Sequence, residues 1–184
     1  MNKNNSLSQE AICLGGGCFW CTEAIFSRVR GVSRVQSGYA NGHLAHPSYE
    51  DICTGQTGHA EVVQVHFDPE VISLRDLLLI FFGTHDPTTL NRQGNDVGTQ
   101  YRSGIYTSSE EQAVTARALI AEMDEAGAYD APIVTEVQPL SIYWVAEDYH
   151  QNYFANHPGQ GYCAFVVGPK VEKFRHAFGR WLNE

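Results

Sequence analysis

Length, composition and charge limit what this protein can be. The chain has 184 residues, of which 43% are hydrophobic and 18% charged, as expected for one compact globular domain. Its formal net charge of −9 disfavours nucleic acid as a partner, because the phosphates of nucleic acids are also negative. Residues 1–10 are polar, and glycines interrupt the apolar stretch that follows. The sequence therefore predicts neither a signal peptide nor a membrane span, and we expect a cytoplasmic protein.

The first part of the chain predicts three strands and a helix. Residues 10–14 favour a strand, and the glycines that follow them favour a tight turn. Residues 18–26 favour a helix that begins directly after this turn. Two further strands are predicted at residues 32–39 and 61–67. The second of these is indicated by apolar residues at every other position, namely Val63, Val65 and Phe67.

The rest of the chain predicts helices separated by a long loop. Residues 73–85 carry an apolar stripe behind Ser73, a favourable N-cap, so they predict a helix packed on a sheet. Residues 84–104 are rich in Gly, Asn, Asp and Thr and show no regular period. Long loops of this kind inside compact domains are disproportionately functional. The remaining predicted elements are helices at 109–126 and 171–183 and a strand at 133–137.

The order of these elements indicates the class of fold. Strands and helices alternate loosely, with room for both hairpins and crossover connections, which predicts an α+β domain with helices on a mixed sheet in two layers. The chain contains no repeat, linker or low-complexity tract. We therefore expect a single domain over residues 1–184, with its core at about residues 10–170 and a C-terminal helix at residues 171–183.

Cys18 is the first candidate for chemistry. The chain has five cysteines, an odd number at irregular spacing, which disfavours a framework of structural disulfides. Cys18 follows three glycines and precedes a predicted helix. There its sulfur would face unpaired backbone N–H groups, which favour the thiolate, and the glycines would leave it accessible. Cys18 is therefore a candidate nucleophile, and the alternative is an inert core cysteine at a turn.

Cys18 and Cys21 together form a Cys-x-x-Cys motif. This spacing suits either a dithiol redox site or half of a zinc site. Histidines at positions 43, 46 and 59 could complete a zinc site, but their spacing fits no standard ligand pattern. We predict neither a metal nor another cofactor.

Glu61 is the second candidate. It begins the strand that contains Val63 and Val65, and the same alternation points its side chain toward the core. Burial raises the pKa of a carboxyl group, which could then keep its proton near neutral pH and act as a general acid. The alternative is an ordinary solvated carboxylate at the edge of the sheet. Asp96 lies in the long loop, where Asp is a common turn residue, so its position alone assigns no role.

Several short blocks of the sequence form one larger pattern. The blocks are Gly17-Cys-Phe-Trp20, Gly38-Tyr39, Pro47-Ser-Tyr49, Thr57-Gly-His-Ala-Glu61, Phe67-Asp-Pro69, His85-Asp-Pro87, Arg92-Gln-Gly-Asn-Asp96, Gly98-Thr-Gln-Tyr-Arg-Ser103 and Gly161-Tyr-Cys163. Together they resemble the A-type peptide methionine sulfoxide reductases, because they occur in the order and approximate spacing of that family over roughly residues 10–170, and so many blocks make chance agreement negligible. The resemblance implies the family's α/β roll, a two-layer arrangement of the ferredoxin-like kind.

The resemblance also implies a reaction and its residues. Cys18 would attack the sulfur of methionine S-sulfoxide, free or in a protein, and become a sulfenic acid. Glu61 would protonate the departing oxygen. Family members take electrons from thioredoxin, so the implied function is repair of oxidised proteins with thioredoxin as the reductant. The implied substrate-binding residues are Phe19 and Trp20 around the methyl group, and Tyr49, Asp96 and Tyr101 around the oxygen.

The thiol that recycles Cys18 stays open, because this sequence departs from the common family pattern. Position 21 is Cys where many members have Gly, and no cysteine follows Cys163, although some members have one more in the tail. We predict Cys163 as the resolving thiol because its Gly-Tyr-Cys block matches the family's recycling position. Cys21, three residues after Cys18, is the alternative.

Two other functions compete with this interpretation. One is a general thiol–disulfide oxidoreductase that uses Cys18 and Cys21. The other is a non-catalytic module that binds zinc or a partner. Neither has a use for the blocks that contain Glu61 and Tyr101.

Overall fold

The computed structural model describes residues 9–183. Residues 1–8, part of the predicted polar start, and residue 184, the end of the predicted single domain, lie outside the described range. The strands are β1 (Glu10–Gly15), β2 (Val32–Ala40), β3 (Ala60–Phe67), β4 (Arg92–Gln93), β5 (Asp96–Val97), β6 (Gly104–Thr107), β7 (Glu136–Pro139) and β8 (Tyr143–Val145). The helices are α1 (Phe19–Phe26), α2 (Tyr49–Cys53), α3 (Leu74–Gly83), α4 (Glu110–Glu125), α5 (Tyr153–Asn156) and α6 (Gly168–Phe178). Three 3₁₀ turns (Thr99–Tyr101, Asp148–His150 and Gly179–Trp181) and a π-helical turn (Cys163–Val167) complete the list.

A six-stranded mixed sheet forms the centre of the fold. Its strand order is β7-β6-β1-β3-β2-β8, with β6 and β7 parallel and the other neighbours antiparallel. The four middle strands, with α1 and α3 as connections, follow the βαββαβ order of ferredoxin-like folds. The predicted α+β class, mixed sheet and ferredoxin-like arrangement are confirmed. Strands β4 and β5 pair separately within the long loop.

The main hydrophobic core lies between one face of this sheet and the helices. Along β3, Val63, Val65 and Phe67 are fully buried in that core, as their alternation predicts. Val62 points to the other face, where it joins a small second cluster with Tyr106. Because the helical core residues of the described chain all belong to the main cluster, the helices form one layer and the sheet forms the other. Within residues 9–183, no helix is both long and apolar enough to cross a membrane.

The helix boundaries follow from their capping groups. The Ser73 hydroxyl accepts a hydrogen bond from the Asp76 N–H at 3.1 Å, as the predicted N-cap requires, and α3 ends at Gly83. The last helix differs from its predicted span of residues 171–183. It begins earlier, at Gly168, because it continues the π-helical turn, and it ends at Phe178, whose φ of −128° and ψ of 30° leave the helical conformation. A single 3₁₀ turn follows it.

Candidate active site

Cys18 lies where β1 leads into α1. Gly17 has a φ of +93°, and a Cβ atom at this position would come within 2.6 Å of the Gln93 side chain. Only glycine adopts this conformation in this space without strain. Cys18 is the N-cap residue of α1 and remains partly exposed. The turn therefore presents the thiol at the edge of the core, where a substrate can approach it.

The loop after α3 supports this turn from behind. The Gln93 side chain donates to the backbone oxygen of Asp86 and accepts from its N–H, both at 2.9 Å. The buried ring of His85 donates from Nδ1 to the carbonyl of Phe81 and accepts at Nε2 from the Ser103 hydroxyl at 2.8 Å. Burial lowers the pKa of His85 to about 4, so its ring is neutral. Part of the long loop that we predicted to be functional thus has a structural role.

Glu61 lies next to Cys18 on the neighbouring strand. Its side chain is only 2% exposed, which confirms the predicted inward orientation. One carboxyl oxygen accepts a hydrogen bond from the Phe19 N–H at 3.3 Å. Burial raises the pKa of Glu61 to about 8, although that N–H acts in the opposite direction. The carboxyl group therefore keeps its proton at neutral pH and has it available to donate.

Cys18 and Cys21 lie one turn apart at the start of α1, where the Cys21 N–H donates to the Cys18 carbonyl oxygen at 3.1 Å. Interaction with the Cys21 thiol, burial and the charge that Glu61 carries once it ionises raise the pKa of Cys18. Interaction with Cys18 lowers the pKa of Cys21 against the effect of burial, and Lys170 lowers it further. At the helix start, the Trp20 N–H lowers the pKa of Cys18 as expected, but burial and the second thiol outweigh it, so the pKa of Cys18 is raised and not lowered.

Aromatic rings form a wall beside Cys18. Trp20 stacks on Tyr153, with ring centroids 3.8 Å apart and planes 4° from parallel, and its indole N–H donates to Nδ1 of His150 at 3.0 Å. Phe19 is only 1% exposed and packs against Tyr39 and His150 at 5.7 and 5.0 Å between centroids. Of the two residues predicted to enclose the methyl group, Trp20 is partly exposed, while Phe19 lies in the core behind it.

The residues predicted to bind the substrate oxygen come from two elements. Tyr49 begins α2, and Tyr101 ends the 3₁₀ turn after β5. Burial raises the pKa of both tyrosines, and the charge that Glu61 carries once it ionises above about pH 8 raises it further, so their hydroxyl groups stay protonated and remain donors. Asp96 accepts a hydrogen bond from the Tyr162 hydroxyl at 2.7 Å. The structure thus places both tyrosines within the field of Glu61 and joins Asp96 to Tyr162.

Three residues of this region were missed by the sequence analysis. Tyr162 meets Trp20 edge-on at 5.8 Å between ring centroids, and its hydroxyl lies close enough to lower the pKa of Cys21. Tyr153 covers Trp20, and the buried ring of His150 touches both Phe19 and Trp20. Within residues 9–183, Nε2 of His150 has no hydrogen-bond partner. The concentration of aromatic residues at positions 149–162 is the one signal in the sequence that points to them.

Cys163, the predicted resolving thiol, lies in the core. It begins the π-helical turn, and its side chain is fully buried. Burial raises the pKa of Cys163, and the charge of Cys21 raises it further, which places the two thiols in the same region. All five cysteines are free in this structure. Cys21 therefore links the other two thiols, since it affects the pKa of both Cys18 and Cys163.

The histidines considered as zinc ligands do not join this group. His59 is fully buried, and both of its ring nitrogens are engaged, Nδ1 by the Gly42 N–H at 2.9 Å and Nε2 by the Leu44 carbonyl at 2.8 Å. In the described part of the chain, no three Cys, His, Asp or Glu side chains are grouped so as to hold a metal ion. The Cys-x-x-Cys motif thus has no completing ligands among residues 9–183.

Comparisons with known proteins show which family this chain resembles. The family model described as peptide methionine sulfoxide reductase matches residues 10–181. The chain is 59% identical over 178 residues to peptide methionine sulfoxide reductase MsrA of Ralstonia nicotianae, which covers 95% of this chain and 93% of the relative. It is 55% identical over 176 residues to MsrA of Deinococcus radiodurans, which covers 96% of this chain and 85% of that relative.

Solved structures share the fold as well. Methionine sulfoxide reductase A of Corynebacterium diphtheriae superimposes with a TM-score of 0.79 at 38% identity, over 84% of this chain and 77% of that one. Reduced Mxr1 of Saccharomyces cerevisiae gives 0.78 at 38% identity, over 87% and 91%. Mxr1 in complex with Trx2 gives 0.56 at 26% identity, over 83% and 90%. Because the family model spans nearly the whole described chain and the relatives are this similar, the chain belongs to the peptide methionine sulfoxide reductase family.

Proposed function

We propose that this chain reduces methionine S-sulfoxide, free or within proteins, to methionine through a sulfenic acid on Cys18. Family membership makes it an oxidoreductase of the methionine sulfoxide reductase type. The observation that carries the proposed mechanism is a buried Glu61 with a pKa of about 8 beside an accessible thiol. A sulfoxide oxygen leaves poorly unless it is protonated, so the reaction needs such an acid. A general thiol–disulfide exchanger does not.

The first step uses Cys18 and Glu61 together. The Cys18 sulfur attacks the sulfoxide sulfur, and the oxygen takes the proton of Glu61 as its bond to the substrate weakens. The oxygen ends on Cys18 as a sulfenic acid, methionine leaves, and the thiol proton of Cys18 restores the acid form of Glu61. Thiol and sulfoxide thus give sulfenic acid and thioether, so this step needs no other reductant.

The substrate is held by groups suited to its two ends. The Tyr49 and Tyr101 hydroxyls, which remain protonated, donate to the sulfoxide oxygen and polarise it. Trp20, backed by Phe19, supplies an apolar surface for the methyl group. Asp96 holds Tyr162 against the edge of Trp20 and so fixes this surface. A site with oxygen donors on one side and an apolar wall on the other accepts one sulfur epimer, and reductases of this kind each act on one.

Recycling of Cys18 uses the other two thiols in this proposal. The sulfenic acid condenses with a neighbouring thiol to give a disulfide and water. Cys21 lies one helical turn from Cys18, its N–H donates to the Cys18 carbonyl oxygen at 3.1 Å, and each thiol shifts the pKa of the other, so Cys21 forms the first disulfide in this proposal. Cys163, near Cys21, then attacks the Cys21 sulfur, which releases Cys18 and leaves a Cys21–Cys163 disulfide. Cys163 thus keeps the recycling role that the family resemblance implies, but it acts second.

Thioredoxin is the proposed final reductant. A dithiol partner of this kind would reduce the Cys21–Cys163 disulfide by exchange and become a disulfide itself. The structure of yeast Mxr1 in complex with Trx2 supports this choice. We also propose a cytoplasmic location and a single domain. Five free cysteines suit a reducing compartment, and one continuous main core suits one domain.

Turnover of the separated R and S epimers of methionine sulfoxide, with a thioredoxin system as reductant, tests this function. We expect methionine from the S epimer only. Equal turnover of both epimers would contradict the proposed specificity. Reduction of insulin disulfides without sulfoxide turnover would identify a general thiol–disulfide oxidoreductase instead. One equivalent of bound zinc that is lost with Cys18→Ser, again without turnover, would identify a binding module.

A further inference from the structure

Glu147 links three structural elements around the active site but contacts none of the reacting atoms. It follows β8 and immediately precedes the 3₁₀ turn that carries His150. Its carboxylate accepts three hydrogen bonds, from the Tyr39 hydroxyl at 2.9 Å, the Tyr49 N–H at 3.0 Å and the Tyr149 hydroxyl at 3.2 Å. These donors belong to β2, to the start of α2 and to the 3₁₀ turn, so one side chain joins three separate elements.

Each of these donors leads to a ring beside Cys18. Tyr39 is fully buried and packs against Phe19 at 5.7 Å between ring centroids. The Tyr49 ring lies 4.5 Å from His150, and the Tyr149 ring lies 4.1 Å from it. Displacement of the Glu147 carboxylate would therefore disturb both Tyr39, which packs against Phe19, and Tyr49. Tyr49 is also held by its ring contact with His150, and α2 by the buried side chain of Ile52, but these apolar contacts lack the direction of the hydrogen bond to Glu147.

The start of α2 shows why this link matters for Tyr49. The helix has five residues and is capped by its own neighbours, because Ser48 and Asp51 exchange side-chain and backbone hydrogen bonds. That capping box shapes the turn but does not attach it to the rest of the site. The hydrogen bond from the Tyr49 N–H to Glu147 does attach it, across a separation of 98 residues in the chain.

We propose that Glu147 is a positioning residue for sulfoxide reduction, whose carboxylate sets the place of Tyr49 relative to Cys18 by fastening α2 to β2 and to the 3₁₀ turn. The inference rests on the proposed role of Tyr49 as a donor to the substrate oxygen. A hydrogen-bond donor accelerates a reaction only if it already points to where the charge develops. Glu147 therefore acts through Tyr49 and not on the substrate.

A double-mutant cycle on Glu147 and Tyr49 tests this proposal. The measurement is the single-turnover rate of methionine release at saturating methionine S-sulfoxide. We expect Tyr49→Phe to slow it about 100-fold, as for loss of one oriented donor. We expect Glu147→Gln to slow it about 10-fold, as for a donor that is slightly misplaced. Because the amide nitrogen of glutamine is itself a donor, it cannot replace both carboxylate oxygens as acceptors.

The double variant decides the matter. If Glu147 acts through Tyr49, the double variant is as slow as Tyr49→Phe alone, about 100-fold, because the hydroxyl that Glu147 positions is already gone. A double variant about 1,000-fold slow would show independent effects and overturn the inference. A Tyr49→Phe variant at full rate would overturn the proposed role of Tyr49 itself, and the inference with it.

Asp51→Asn is the matched control. Asp51 is also a carboxylate that binds a backbone N–H at the start of α2, but it binds within the helix and not across the site. We expect this variant to lose some thermal stability and to keep the wild-type rate. A loss of rate equal to that of Glu147→Gln would show that any loosening of α2 suffices, and would overturn the inference. If Glu147→Gln does not fold, Glu147→Asp, which keeps the charge but shortens its reach, takes its place in the cycle.

Discussion

The two sides of the active site are held in different ways. The positions of Cys18 and Glu61 are set by the sheet, because β1 and β3 pair in a continuous antiparallel register. The pairing runs from Glu10 opposite Phe67 to Leu14 opposite Val63. That register sets the end of β1 beside the start of β3. Residues 146–167 instead contain a 3₁₀ turn, a four-residue helix and a π-helical turn. They are fixed largely by side chains, such as Tyr153, which stacks on Trp20, and Gln151, which hydrogen-bonds to the backbone N–H and oxygen of Ser37 at 3.0 Å.

This difference matches the two tasks of the proposed mechanism. In that proposal, proton transfer from Glu61 needs a fixed distance to the substrate at Cys18, and a paired sheet gives that distance without adjustment. The proposed recycling needs the buried thiol of Cys163 to come within reach of a partner protein. A segment held largely by side-chain contacts, each contributing roughly 1 kcal/mol, can rearrange for this purpose. In this proposal the rigid side carries the chemistry, and the irregular side backs Trp20 and carries the recycling thiol Cys163.

The largest effect is expected on the rigid side. Cys18→Ser should abolish methionine release, even in a single turnover, because a hydroxyl is too poor a nucleophile to replace the thiol. The fold should persist, since Cys18 is partly exposed and contributes little packing. Single-turnover assays and circular dichroism would measure both. Residual release above a trace would show that another group can attack the sulfoxide.

Variants that lack one of the proposed recycling thiols should complete the first catalytic cycle but lose steady turnover. We expect Cys163→Ser and Cys21→Ser each to release about one methionine per enzyme and then stop with thioredoxin. Peptide mapping should find a Cys18–Cys21 disulfide in oxidised Cys163→Ser and an unpaired Cys18 sulfenic acid in Cys21→Ser. If Cys21→Ser turns over normally and the oxidised wild type contains a Cys18–Cys163 disulfide, Cys163 resolves directly, as the sequence alone suggested.

Glu61→Gln should slow sulfenic acid formation by about 10²–10⁴-fold, the usual contribution of a general acid. Affinity for the substrate should hardly change, because the amide keeps the shape of the carboxyl group and can still accept from the Phe19 N–H. Rapid-quench measurements across substrate concentrations separate the two quantities. An unchanged rate of the chemical step would reassign Glu61 to packing.

The smallest effect is expected on the irregular side. Tyr162→Phe removes the hydrogen bond to Asp96 and should cost about 1 kcal/mol of unfolding free energy. Hydrogen exchange should become faster in residues 152–163 while β1 and β3 keep their protection, because only the former depend on such contacts. Equally faster hydrogen exchange in both regions would show that they are not held in different ways.

The sequence predicted the rigid side better than the irregular side for a physical reason. The orientation of Glu61 follows from the two-residue period of its own strand, and the place of Cys18 follows from the glycines before it. His150 meets Trp20 across 130 residues, so no local pattern places it. The raised pKa of Cys18 was also missed, because it depends first on the interaction with the Cys21 thiol and then on burial, and neither can be read from a local pattern.

The pH dependence of the single-turnover rate tests the central claim, that a protonated Glu61 delivers the proton to the sulfoxide. The acid form of Glu61 is present below its pKa of about 8 and is lost above it. Because the pKa of Cys18 is raised above its ordinary value, growing thiolate does not mask this loss at that pH. We expect the wild-type rate to fall as pH rises through about 8, and the slow Glu61→Gln rate to show no such fall. A wild-type rate that rises through this range, or a fall that Glu61→Gln retains, would contradict the account.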